Sequence, residues 1–168
     1  MDISRITSRL FISSWPQAGE SVHLGELGIQ LVISMTTREP LSEFCTEPLG
    51  WVHLRTIDSP VTPIPLESLH RGVLASLPVL AEGGGVLCHC REGRHRSVAM
   101  ACCILVAQGC SATSAAELVK EHREAADPGA FWIAPRIRKF EQAWRGGWRD
   151  EAHVPAAARE AECGRSED

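Results

Sequence analysis

Cys90 and Arg96, separated by five residues, are the side chains in this chain best suited to chemistry on an anion. They belong to the stretch His89-Cys90-Arg91-Glu92-Gly93-Arg94-His95-Arg96-Ser97, which lies between the short apolar run 86–88 and the long one at 98–107. That pattern reads as a strand, a tight loop and a buried helix. Where a loop enters a helix, unpaired N–H groups converge and the helix dipole adds positive charge, so a phosphate or a thiolate is stabilised there. A cysteine is a nucleophile only as thiolate, and a helix N-terminus beside cations lowers its pKa by several units. The five residues Arg91, Glu92, Gly93, Arg94 and His95 suffice for a crescent of backbone around a tetrahedral anion. Arg96 closes it with a planar fork that matches two oxygens, and Gly93 permits backbone angles that a side chain would forbid. The competing reading makes Cys90 one more buried thiol and the arginines a solvated surface.

The rest of the chain must position this loop. Leu10-Phe11-Ile12-Ser13 and Leu31-Val32-Ile33-Ser34 read as strands, and residues 20–27 as a turn or two of helix stopped by Gly28. Residues 35–50, broken by Pro40 and Pro48, read as loop with some helical content. Residues 51–57 form a further strand candidate that runs directly into Asp58. Asp58 is thereby expected at a strand's C-terminal edge, where open α/β sheets bind ligands. Leu66, Leu69, Val73 and Leu77 recur at helical spacing, Pro78 should kink or split that helix, and Gly83-Gly84-Gly85 ends it. Residues 98–107 are apolar on all sides, which marks a core helix closed by Gly109. Ser114-Ala115-Ala116-Glu117 matches a capping box, and Pro135 sits well at the start of a last helix through Ile137, Phe140 and Trp144. Alternating strands and helices imply an α/β fold: one domain over residues 1–149, with a mainly parallel sheet of four to five strands flanked by helices. Residues 150–168, rich in Ala, Glu and Arg, are expected to be a disordered tail.

Composition narrows the partners. A hydrophobic fraction of 44% and a charged fraction of 23% are those of an ordinary globular domain. The net charge of -4 argues against wholesale nucleic-acid binding, so any cationic site must be concentrated. No apolar run has membrane-spanning length and the first residues lack a secretory pattern, so no membrane association is expected and the cytoplasm, with the nucleus as alternative, is the expected location. Seven cysteines, several in apolar runs, favour reduced thiols over a disulfide framework. Cys88-His89-Cys90 is a weak metal signal with no second cluster, and Cys45, Cys102, Cys103 and Cys110 are expected to be buried structural thiols.

The nine-residue stretch resembles the His-Cys-x5-Arg-Ser signature of the cysteine-dependent protein tyrosine phosphatases, and the short chain is most similar to their atypical dual-specificity branch. The resemblance runs in diluted form from about Ile6 to Trp144 and is strongest around residues 86–105. It implies a phosphocysteine mechanism with no metal and no cofactor: Cys90 attacks phosphorus, Arg96 and the loop amides hold the transferring group, and water hydrolyses the intermediate. It further implies that Ser97 helps the sulfur leave and that His89 orders the loop, although His89 could equally be a satisfied structural histidine. The family places its general acid about thirty residues before the cysteine, and Asp58 lies 90 − 58 = 32 residues before it. The alternative for Asp58 is a turn cap before Pro60. Glu67 and Glu82 fall on a predicted helix or its end, and Glu92 is better placed to orient neighbours than to act as the acid.

One departure bears on substrate. Many relatives carry a small residue before the signature Arg, where this chain has His95, with Arg91 and Arg94 also in the loop. That pattern resembles members acting on inositol pyrophosphates or phosphoinositides. The expected substrate is thus a phosphorylated protein or a multiply phosphorylated small molecule, unless Arg91 and Arg94 simply pair with acids at the surface. Rhodanese-type sulfurtransferases use a similar loop that is one residue shorter, so loop length favours phosphate over sulfur transfer. A phosphate-binding module without turnover would be expected to lack Cys90, Arg96 or Asp58.

Overall fold

The computed structural model describes residues 2–39, 41–45 and 47–148; the expected tail at 150–168 lies outside them. Five strands form one sheet: β1 (Ile3–Arg5), β2 (Leu10–Ser13), β3 (Ile29–Ser34), β4 (Gly50–His53) and β5 (Gly85–His89). Their spatial order is β1-β2-β5-β3-β4, with β1 antiparallel to β2 and every other pairing parallel. The expected α/β architecture is therefore present. β5 is central, its side chains are buried on both faces, and its sequence accordingly reads as continuous rather than alternating apolar residues.

Helices α2 (Leu66–Ala81), α3 (Arg96–Ala107), α4 (Ala112–His122) and α5 (Ala134–Ala143) pack around one large core that includes Leu69, Val73, Met100, Ile104, Ile137 and Phe140. A smaller core of Phe11, Leu24, Val32, Phe44 and Leu87 lies with α1 (Ser21–Glu26) and the 3-10 turn Ser42–Cys45. α3 is buried from Arg96 through Val106, as its all-round apolar sequence requires. No described helix is long and apolar enough to cross a membrane.

Three expectations need correction. β4 stops at His53 instead of continuing to Ile57, because its neighbour β3 ends at Ser34; the last bond between the two segments is Leu54 N–H to the Ser34 carbonyl, 2.8 Å. Asp58 thus sits on an irregular segment beyond the strand. Pro78 does not split α2, which continues to Ala81 before Gly83 turns the chain at φ 93°. Proline removes one donor, and here only the last turn of a helix packed on the core has to do without it. The cap of α4 is Ser111 and not Ser114: the Ser111 hydroxyl accepts the Ser114 N–H at 3.0 Å, so the cap lies three residues before the expected one. The short edge strand β1, half-exposed, was not foreseen.

Candidate active site

The parallel strands β2, β5, β3 and β4 all point the same way, and the segments leaving them build one site. β5 delivers Cys90, which is 1% exposed, to the start of the loop that leads into α3. The loop between them turns at Gly93 with φ +64°, a left-handed angle; a Cβ there would come within 2.7 Å of the Ser13 carbonyl oxygen. Glycine is required on both counts. The loop carbonyls are held from outside: Arg91 O accepts from Trp15 N at 3.1 Å, and Gly93 O accepts from Arg123 Nε at 2.7 Å.

Inside the crescent, Cys90 Sγ lies 3.3 Å from Ser97 Oγ and accepts the Gly93 N–H at 3.2 Å. Burial opposes the thiolate, yet the Ser97 hydroxyl and amide, the Arg96 charge and the Glu92 amide together hold the Cys90 thiol below its ordinary value. Arg96, 5% exposed, donates from Nη1 to the Thr56 carbonyl at 3.0 Å and brings Nε to 3.5 Å from Asp58 Oδ2. Its buried Nε–H has no hydrogen-bond partner among the described residues, so a donor is aimed at the site at the cost of desolvation.

The sequence-predicted residues therefore separate into two groups. Cys90, Gly93, Arg96 and Ser97 converge, and Asp58 meets them through Arg96 and through His95, whose Nδ1 is 3.2 Å from Asp58 Oδ2. Arg91, Glu92 and Arg94 contribute backbone to the crescent while their side chains are exposed. Arg94 Nη2 lies 3.8 Å from Asp127 Oδ2. His89 is buried between the rings of Trp15 and Trp51, 5.4 and 5.5 Å from their centroids, and donates from Nδ1 to the Cys90 carbonyl at 3.4 Å. Burial first, with the Cys90 contact opposing it and nearby His53 and Arg96 assisting, lowers its pKa to about 4. Cys88 and Cys90 face the large core while His89 turns to the two tryptophans, so the three do not converge as metal ligands would.

Arg123 was not foreseen. It is 3% exposed and, besides Gly93 O, its guanidinium reaches Glu92 O at 3.3 Å, Ser4 Oγ at 3.1 Å and Asp2 Oδ2 at 2.6 Å. Its signal was present in the spacing: Ala112, Ala115 and Val119 are the buried residues of α4, and Arg123 falls one further turn along that stripe. Asp127 and Trp132, neither of them singled out from the sequence, flank His95. Asp127 Oδ2 is 4.0 Å from its Nε2, and the Trp132 ring is edge-on at 4.9 Å.

A five-stranded sheet with a thiolate-stabilising Cys-x5-Arg crescent before a buried helix defines the dual-specificity class of cysteine-dependent phosphatases, and the chain belongs to that family. Its sequence matches the family described as Swiss Army Knife protein, DSP-PTPase phosphatase domain, over residues 6–140. It is 27% identical over 141 residues to Homo sapiens dual specificity phosphatase 28, covering 83% of this chain and 77% of that protein. The Mus musculus counterpart is 28% identical over 141 residues, covering 83% of both. The crystal structure of human DUSP28 superposes with a TM-score of 0.76 at 24% identity, covering 85% of this chain and 98% of that one. PTPMT1, solved in complex with PI(5)P, gives a TM-score of 0.76 at 21% identity, covering 86% and 97%.

Proposed function

We propose that the protein hydrolyses phosphomonoesters through a phosphocysteine intermediate, without a metal, and that its substrates are phosphoproteins carrying phosphotyrosine or phosphoserine/threonine. The observation that carries this reading is the Cys90 sulfur, buried yet held by Ser97 Oγ at 3.3 Å and by the Gly93 N–H at 3.2 Å beside the Arg96 guanidinium. In the first step the Cys90 thiolate attacks phosphorus and the bond to the leaving oxygen breaks, while Asp58 gives that oxygen its proton. Arg96 and the loop N–H groups bind the equatorial oxygens. In the second step the Asp58 carboxylate takes a proton from water as the water attacks phosphorus. The S–P bond then breaks and the Ser97 hydroxyl donates to the departing sulfur. A free nucleophilic thiol persists in reducing compartments, so this reading puts the protein in the cytoplasm or nucleus.

The charges around the loop favour phosphoproteins over inositol pyrophosphates or phosphoinositides. Arg94 is offset by Asp127, His95 lies between Asp58 and Asp127, and Glu92 is exposed beside them. A substrate with several phosphates would meet Asp58 and Asp127 beside the Cys90 crescent. Ile57 and Phe131, 55% and 73% exposed next to Asp58 and Trp132, instead offer apolar contact to a peptide flanking the phosphorylated residue.

The test uses a small aryl phosphate in chelator-treated buffer, followed by phosphopeptides, inositol phosphates, phosphoinositides and 5′-phosphorylated RNA side by side. Phosphate release is expected without metal, abolished by Cys90→Ser and lowered about 10²–10⁴-fold by Asp58→Ala with a poor leaving group. Phosphopeptides should have the highest kcat/KM. Thiocyanate formation from thiosulfate and cyanide, or no turnover of any ester, would overturn the reaction assigned; a preference for inositol phosphates would overturn the substrate class.

A further inference from the structure

The segment that carries Asp58 has no helix or strand between His53 and Leu66 and contains Pro60, Pro63 and Pro65. Two side chains of the loop tether it. Arg96 holds the Thr56 carbonyl through Nη1 and approaches Asp58 Oδ2 with Nε at 3.5 Å; His95 reaches the same oxygen with Nδ1 at 3.2 Å. These two tethers differ in what substrate does to them. Arg96 is the cation that must turn its fork to the phosphoryl oxygens, which compete directly with Asp58 for Nε. His95 is not drawn away in the same manner, because its two ring nitrogens face Asp58 and Asp127.

The His95 ring is itself fixed on several sides. Nε2 lies 4.0 Å from Asp127 Oδ2, the Trp132 ring packs edge-on at 4.9 Å, and only 14% of the side chain is exposed. The charged groups facing it are Asp58 from the segment after β4 and Asp127 from the turn after α4; Arg96 of α3 and Arg94 of the Cys90 loop in turn approach those two carboxylates. A ring held this way has its Nδ1–H aimed at one carboxylate oxygen. A side chain without a donor at position 95 would leave Asp58 with the Arg96 contact alone.

We infer that His95 is the positioning residue for the acid: it keeps the Asp58 carboxyl over the leaving oxygen once Arg96 has been drawn to the phosphoryl group. It touches neither phosphorus nor sulfur and supplies no proton that Asp58 lacks. The inference rests on the reading of Asp58 as general acid. Its benefit falls on the protonation of the leaving group, so esters of weakly acidic alcohols gain most and esters of acidic phenols least.

The experiment compares wild type, His95→Ala, His95→Asn and Asp58→Ala on p-nitrophenyl phosphate and on a phosphoserine peptide. With the peptide, His95→Ala should lower kcat by about tenfold to a hundredfold, the range expected when a reacting group is misplaced by about an ångström. With the nitrophenyl ester it should fall much less, and inhibition by inorganic phosphate should be unchanged. Asn keeps a donor near the position of Nδ1 and should recover most of the loss. In the Asp58→Ala background His95→Ala should add nothing. Equal losses on both esters, or no rescue by Asn, would overturn the inference while Asp58→Ala still discriminates between leaving groups. An Asp58→Ala enzyme that does not discriminate would overturn the acid assignment itself. If His95→Ala does not fold, His95→Gln, which moves the donor one bond outward, serves in the same comparison.

Discussion

Cys88 and Cys90 lie on one line of β5 and its extension, both almost fully withdrawn from solvent, and their thiols move in opposite directions. Burial pushes the Cys88 thiol far up, and neighbouring Cys102 and Cys90 push it further. The same burial acts on Cys90, yet Ser97, Arg96 and the Glu92 amide overcome it. Cys102, also buried and without such donors, is pushed up to about 12. Depth in the protein therefore does not make a thiolate. What makes one is the end of the strand, where the chain stops bonding to its neighbours and turns its N–H groups inward at a helix start. His89, between the two cysteines, shows the complementary case: a cationic form excluded from a pocket of two tryptophans, so that the strand ends on a neutral ring.

The contrast breaks most sharply at Arg96. Arg96→Lys keeps a positive charge near Cys90 but loses the fork that holds Thr56 O and that the proposed mechanism turns to the phosphoryl group. Turnover should fall about 10²–10³-fold, the usual loss when one preorganised donor to the transition state is removed. Alkylation of Cys90 by iodoacetamide should keep a pH dependence close to wild type, because the Ser97 and Glu92 donors are untouched and a lysine retains the positive charge. Near-normal turnover would show that the fork is dispensable.

His89 provides the next largest effect, on stability. A histidine at about 4 in the folded protein and at its ordinary 6.5 when unfolded binds fewer protons folded than unfolded between those values. Its contribution is fully present above pH 6.5 and is lost as pH falls toward 4, by up to about 3 kcal/mol over that window. Urea midpoints measured from pH 7 to pH 4 should show this slope in wild type and a flatter one in His89→Asn. Equal slopes would remove His89 from the account.

What could be read from the sequence was what is local in it. The crescent, its glycine and the buried helix behind it are contiguous, so spacing and residue type sufficed to bring Cys90, Gly93, Arg96 and Ser97 together. Asp58 was found as a candidate, but its setting was misjudged: β-rich composition through Ile57 said nothing about where the neighbouring β3 would stop offering bonds. The supports of the loop were illegible for a related reason. Arg123 reaches Gly93 O across 30 residues and Asp2 across 121, and only the packing of α4 brings them together. A lone arginine at the end of an amphipathic helix reads as surface unless its place on the apolar stripe is counted.

The smallest effects should come from that support, and they separate its two ends. Arg123→Met keeps the stem but leaves the Gly93 and Glu92 carbonyls without their buried donor, which should cost about 1–3 kcal/mol of stability. Asp2→Asn removes only the outer partner, whose side chain is 60% exposed, and surface pairs contribute about 0–1 kcal/mol. The Arg123 hydrogen bond, working against partial burial and joined by its charge, holds the Asp2 carboxyl below the usual carboxylate value. That contribution is present above the unfolded carboxylate pKa and disappears as pH falls through the folded one, so wild type and Asp2→Asn should converge in acid. If Arg123 acts mainly by holding the crescent in shape, Arg123→Met should also lower turnover while Asp2→Asn does not. Equal losses from the two would mean that the ion pair, and not the carbonyl contacts, holds the loop.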